Sequence, residues 1–91
     1  MDRIKTSDIY YGAYLLSSGG RLEGFSMNSV GLSRKITFEF TSSELERLKH
    51  EYLSGEARAN VRGLRSALKH LKDIVLSERT LTLRERHLNE Y

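Results

Sequence analysis

The sequence predicts a small α+β domain in the order α-β-β-α-α, with an antiparallel β-hairpin packed against helices. Three observations carry this. "RKITFEFT" alternates strictly, with Ile36, Phe38 and Phe40 on one side and Lys35, Thr37 and Glu39 on the other. Three other segments place apolar residues at three- and four-residue steps. Glycines punctuate these segments where helices end. Ninety-one residues bound the chain to one domain with a modest core. The domain is expected over residues 1–78, with 79–91 as a C-terminal tail.

The first element is "TSDIYYGAYLLSSGG". Thr6, Ser7 and Asp8 all suit an N-cap, and Gly19-Gly20 supplies a stop. A helix is predicted from about Asp8 to Ser18, with Ile9, Ala13 and Leu16 on its buried stripe. Tyr10 and Tyr14 should lean on the sheet, which leaves Tyr11 pointing elsewhere and exposed. Gly12 costs a helix interior about 1 kcal/mol against alanine. A close backbone contact there would explain it.

"RLEGFSMNS" reads as a strand through Leu22, Phe25 and Met27. Its alternation slips at Gly24, as at a bulge. "NSVGLS" reads as a turn-rich connector into "RKITFEFT", and the two strands form a hairpin. One face of that pair is apolar and the other wet, which is antiparallel behaviour.

"TSSELERLKHEYLSGE" is a helix with Leu45, Leu48 and Tyr52 on its apolar stripe. Thr41 with Glu44, or Ser43 with Glu46, would make a capping box, and Gly55 ends the helix. The last helix begins at Asn60 as N-cap and persists to about Leu76. Its seam is Leu64, Ala67, Leu68, Leu71, Ile74 and Val75. In the tail, Thr82 and Glu85 either cap a further short helix bearing Leu83 and Leu88, or belong to a frayed end.

"KTSDIYYGAYLLSSGGRLEG", "KITFEF" and "EYLSGEARANVRGL" together resemble a family of short bacterial and phage-associated proteins known only as a domain of unknown function. The resemblance covers roughly Lys5 to Leu76. It rests on Lys5-Thr6-Ser7-Asp8 with Tyr10, Ala13 and Leu15-Leu16, on Phe38-Glu39-Phe40, and on Tyr52 with Gly55-Glu56-Ala57. The family pattern has Asp-Pro where this chain has Asn60-Val61, which implies a helix start there. The resemblance implies the α-β-β-α-α order and no activity.

Composition removes several kinds of chemistry. Without cysteine there is no disulfide framework, thiolate zinc site or cysteine nucleophile. The apolar runs, such as "AYLL" and "IVL", are too short for a transmembrane helix or a signal peptide, so a cytoplasmic protein is expected. His50, His70 and His87 have no ligand spacing. No carboxylate pair, nucleophile motif or phosphate loop stands out. No catalytic residue, metal or cofactor is expected. Ser7-Asp8 admits two readings, an anion site at a helix N-terminus or a plain cap.

Charge is the remaining signal. From Glu56 to Lys72 five basic residues face one acid, a net of +4, whereas the rest of the chain carries ten basic and eleven acidic residues. Arg62, Arg65, Lys69 and Lys72 form one stripe on the last helix, beside the apolar seam. Lysine and arginine at such flanking positions often lay their stems on a core edge. Of the nearby acids, Glu56 precedes the helix and Asp73 falls off the stripe. The sequence therefore supports a non-catalytic interaction module, self-associating or binding another protein. The alternative is an accessory nucleic-acid binder that uses the stripe and Tyr11. Leu81, Leu83, Leu88 and Tyr91, with the unpaired edges of a small sheet, point toward a homo-oligomer.

Overall fold

The computed structural model describes the backbone of residues 2–30 and 33–89 and the side-chain environments of residues 2–28 and 35–78. Its elements are β1 (Asp2–Thr6), α1 (Ile9–Ser17), β2 (Arg21–Val30), β3 (Ser33–Ser42), α2 (Leu45–Ser54) and α3 (Val61–Asn89). The α+β class and the helix, hairpin, helix, helix succession are as expected, with one strand added in front. The three strands form an antiparallel sheet in the order β1-β3-β2.

β3 is the central strand, and its alternation organises the sheet. Phe38 and Phe40 are fully buried and Ile36 half-buried, while Lys35 is exposed. Phe40 pairs with Ile4 on one side and Leu22 on the other, so one face collects the apolar residues of all three strands. The opposite face is wet and carries the Arg3–Glu39 ion pair at 3.3 Å. The expected bulge is present: the β2–β3 register shifts between Leu22 and Gly24. Glu23 is the additional residue, and its carboxylate accepts a 2.8 Å hydrogen bond from the Thr41 hydroxyl.

The added strand β1 holds a single apolar residue, Ile4, in "DRIKT". Its sequence has no alternation of its own to read. Its place follows from β3, whose residues 38–42 present a free ladder to it. The connector expected over "NSVGLS" is mostly strand, since β2 reaches Val30 and β3 starts at Ser33; Gly31 and Leu32 lie outside the described residues.

α1 is capped by Asp8, which accepts from the backbone N–H of Tyr10 at 2.9 Å and Tyr11 at 3.3 Å. It stops in a Schellman turn: Gly20 N–H donates to Leu15 O at 2.8 Å, and Gly19 takes φ 93°. The exposed tyrosine of α1 is Tyr10, 62% exposed; Tyr11 and Tyr14 are buried. This corrects the expected orientation. "IYYGAYLLS" is apolar nearly all round, so its periodicity cannot select a face. Packing selects the arc of Tyr11, Gly12, Leu15 and Tyr14.

Gly12 sits where the sheet, α1 and α3 meet. A Cβ there would stand 2.9 Å from Phe40 Cζ and 3.1 Å from Leu71 Cδ1. The close approach anticipated for this glycine is therefore real, and it brings α1 flush against both neighbours.

α2 starts at Leu45, and neither expected capping box forms. β3 continues through Ser42, whose Oγ accepts the Glu44 N–H at 3.1 Å. Glu44, at the cap position, makes no capping bond. Gly55, at φ 80°, ends the helix as expected, with Glu56 N–H donating to Glu51 O at 2.9 Å. Leu45 and Leu48 are buried.

α3 is capped by Asn60, whose Oδ1 accepts the Gly63 N–H at 3.0 Å. Its seam packs as expected, with Leu71 fully buried and the other seam residues half-buried against the core. The helix does not stop near Leu76. It runs without interruption to Asn89, well into the residues expected as a tail, because "SERTLTLRERHLN" holds neither glycine nor proline to break it.

Gly12→Val tests the contact on which this packing turns. Valine should gain helix propensity of a few tenths of a kcal/mol over glycine but force Phe40 and Leu71 apart, at a cost of about 1–3 kcal/mol. Urea unfolding should show net destabilisation; a variant as stable as the parent would mean α1 does not lie this close.

Candidate functional site

Three surfaces could carry function. The first is the basic stripe. Arg62, Arg65, Lys69 and Lys72 are all exposed on α3, at the edge of its packed seam. None forms a salt bridge among the described residues, whereas Arg3 is paired with Glu39, and Arg47 with Glu44 and Glu51.

Tyr11, expected to stand with them, does not. It is only 9% exposed, and its ring lies 4.6 Å from the ring of Tyr52, inside the seam between α1 and α2. A tyrosine so enclosed cannot stack on a base. No signal in the sequence separates Tyr10 from Tyr11, since both lie in the apolar "IYYGAYLL" run.

That seam is the second surface. Tyr52 also meets Tyr14, ring centres 5.7 Å apart. The Tyr14 hydroxyl donates to Glu51 Oε2 at 3.2 Å, and Glu51 also accepts from Arg47 at 3.1 Å. Tyr52 OH reaches Asp8 Oδ2 at 3.5 Å. Tyr11 OH is buried with no hydrogen-bond partner among the described residues. All three phenols hold their protons more tightly than an ordinary tyrosine. For Tyr11 the causes are burial, then the neighbouring phenols; for Tyr14, burial, then the hydrogen bond to Glu51; for Tyr52, burial, then Asp8. Phenols pushed this way are poor proton donors or acceptors near neutrality, so the cluster reads as packing.

Of the two readings of Ser7-Asp8, the structure favours the cap. Asp8 already accepts two backbone N–H groups, and Ser7 shares a 3.1 Å hydrogen bond with Thr37. His50 and His70 are exposed, and His87 lies outside the residues whose side chains are described. Among the described residues no group of three or more metal-ligating side chains comes together, and no helix is long and apolar enough to cross a membrane.

The third surface is a cavity of about 550 Å³. It opens beyond the end of β1, where β3 runs on past its partner. Met27, Ile36 and Phe38 form its sheet side. Ile9 at the start of α1 and Val75 with Leu76 on α3 form the other. Lys35 and Lys72 also line it. It could not be read from the sequence, because it joins residues from four separate segments.

No family model, curated protein or solved structure matches the chain.

The tyrosine seam generates two expectations. Tyr11→Phe removes an unpartnered buried hydroxyl and should leave stability unchanged or raise it by up to about 1 kcal/mol. Tyr14→Phe loses the bond to Glu51 and should cost about 1 kcal/mol. Urea unfolding of the two variants should therefore move in different directions; equal losses would contradict the hydrogen-bond assignments. The second concerns alkali. Phenol pKa values are raised in the fold, so the unfolded chain ionises first. The stabilisation is whole below pH 10 and shrinks as pH rises through that value. Thermal unfolding followed from pH 8 to 11 should show this loss, and Tyr52→Phe should lessen it.

Proposed function

We propose that the chain is a non-catalytic interaction module that self-associates through the far half of α3. The observation that carries this reading is the length of that helix. Its 29 residues extend about 43 Å at 1.5 Å per residue, against short molecular dimensions of 25 and 22 Å. The core holds α3 along Leu64 to Val75. In the sequence, Leu81 and Leu88 then follow Ile74 at seven-residue steps, a spacing that suits a helix pairing with another helix. The side chains of Leu81, Leu83 and Leu88 lie outside those described, as does all of Tyr91. A chain without cysteine suits the cytoplasm. Membership of the family named above belongs to the same proposal and adds no activity to it.

A second reading, an accessory nucleic-acid binder, draws on four exposed cations of α3 that form no ion pair among the described residues. Such binding would be electrostatic and nearly blind to sequence, since the stripe offers phosphate contacts and no base-reading aromatic.

Sedimentation at micromolar concentration tests the first reading. A dimer is expected, and deletion of Thr80 to Tyr91 should yield a monomer that still unfolds cooperatively. A parent chain that stays monomeric on concentration, and does not respond to the deletion, defeats the proposal. For the second reading, four phosphate contacts should give a slope of log K against log salt near about −3.6 on duplex DNA. Replacing Arg65 and Lys69 by alanine should halve it. Absence of retention on a DNA column at low salt leaves the stripe as a solvated flank.

A further inference from the structure

We infer that the cavity between the free end of β3, the start of α1 and the middle of α3 is a binding site for an amphipathic carboxylate, an aliphatic or aryl chain ending in –COO⁻. The inference does not depend on self-association, because every residue it uses precedes Ser77. Three observations converge on this ligand class.

The first is the size and lining. About 550 Å³ falls within the roughly 300–1,000 Å³ of small-molecule pockets. Ile9, Met27, Ile36 and Val75 lie on its walls and remain only half-buried in a chain whose core has room for few such residues. Leu76, also on the lining, is 61% exposed. An apolar chain seated there would remove the remaining surface of these side chains from water.

The second is the sign of the charge. Lys35, on β3 beyond its pairing with β1, and Lys72, on α3, are both among the lining residues, and no carboxylate is among the described ones. Both are exposed, and neither is paired with an acid among the described residues. Two lysines and no described acid on the lining of an apolar hollow favour an anionic head on an apolar body and disfavour a cationic one.

The third is topology. β1 ends at Thr6, opposite Phe38, whereas β3 continues to Ser33, and the chain leaves the sheet through Ser7 to enter α1. The lining comes from this turn and the start of α1, from β2 and β3, and from α3, so the hollow follows from how the chain turns rather than from one side chain.

Calorimetric titration of the full chain with decanoate, decanol and decylammonium, each below its micellar concentration, tests the assignment. Decanoate should bind, with decylammonium weaker by about tenfold or more. The pair Lys35→Glu and Lys72→Glu should weaken decanoate by a similar factor and leave the circular dichroism unchanged, because both residues are exposed. Val75→Trp should fill the cavity and abolish binding of decanoate and decanol alike. If that variant fails to fold, the charge-reversed pair decides the matter alone. Equal affinity for decanoate and decylammonium, unchanged decanoate affinity in the charge-reversed pair, or no heat at millimolar decanoate would each overturn the inference.

Discussion

The contact between Gly12, Phe40 and Leu71 is the constraint on which the rest of the fold depends. A side chain on Gly12 would meet the Phe40 ring tip at 2.9 Å, so its absence lets α1 settle directly onto the central strand. Phe40 in turn is placed by the two registers of β3, opposite Ile4 and Leu22. Leu71 is the one fully buried residue among the described side chains of α3. One close approach thus ties the sheet, the first helix and the last helix together. Glycine accepts its helix-propensity cost here because the packing it permits is worth more.

Much of the polar chemistry of the chain is consumed in holding this arrangement. Asp8 caps α1 and also meets Tyr52 from α2. Glu51 takes both the Tyr14 hydroxyl and Arg47. Glu23 anchors the bulge through Thr41. These groups have structural partners, and a group so occupied is a weak candidate for recognition. The contrast with α3 is sharp: its stripe of cations is exposed and has no ion pair among the described residues. Lys72 belongs both to that stripe and to the lining of the cavity, so the electrostatics of the two surfaces are coupled through one ammonium group. A ligand carboxylate in the cavity would lower the positive charge that the stripe presents to a polyanion.

The sequence by itself determined the features whose causes are local. The alternation through Ile36, Phe38 and Phe40, the slip at Gly24, the stops at Gly19 and Gly55 and the cap at Asn60 each depend on a few neighbouring residues, and each is where the pattern put it. Only the tertiary structure decided the rest. β1 carries one apolar residue and exists because β3 has a free side. The face of α1 was undecidable from "IYYGAYLL", since an all-apolar helix has no preferred direction until its neighbours supply one. Thr41 and Ser43 looked like caps for α2, but the sheet ladder claimed Thr41 and Ser42 first. The length of α3 was masked by polar residues that looked like a tail, although nothing among them breaks a helix. The cavity and its two lysines arise from segments distant in sequence, brought together only when β1 stops short of β3. Local rules act through bonds and turns a few residues long; faces, edges and hollows are properties of packed surfaces, and those are set by what each element finds beside it.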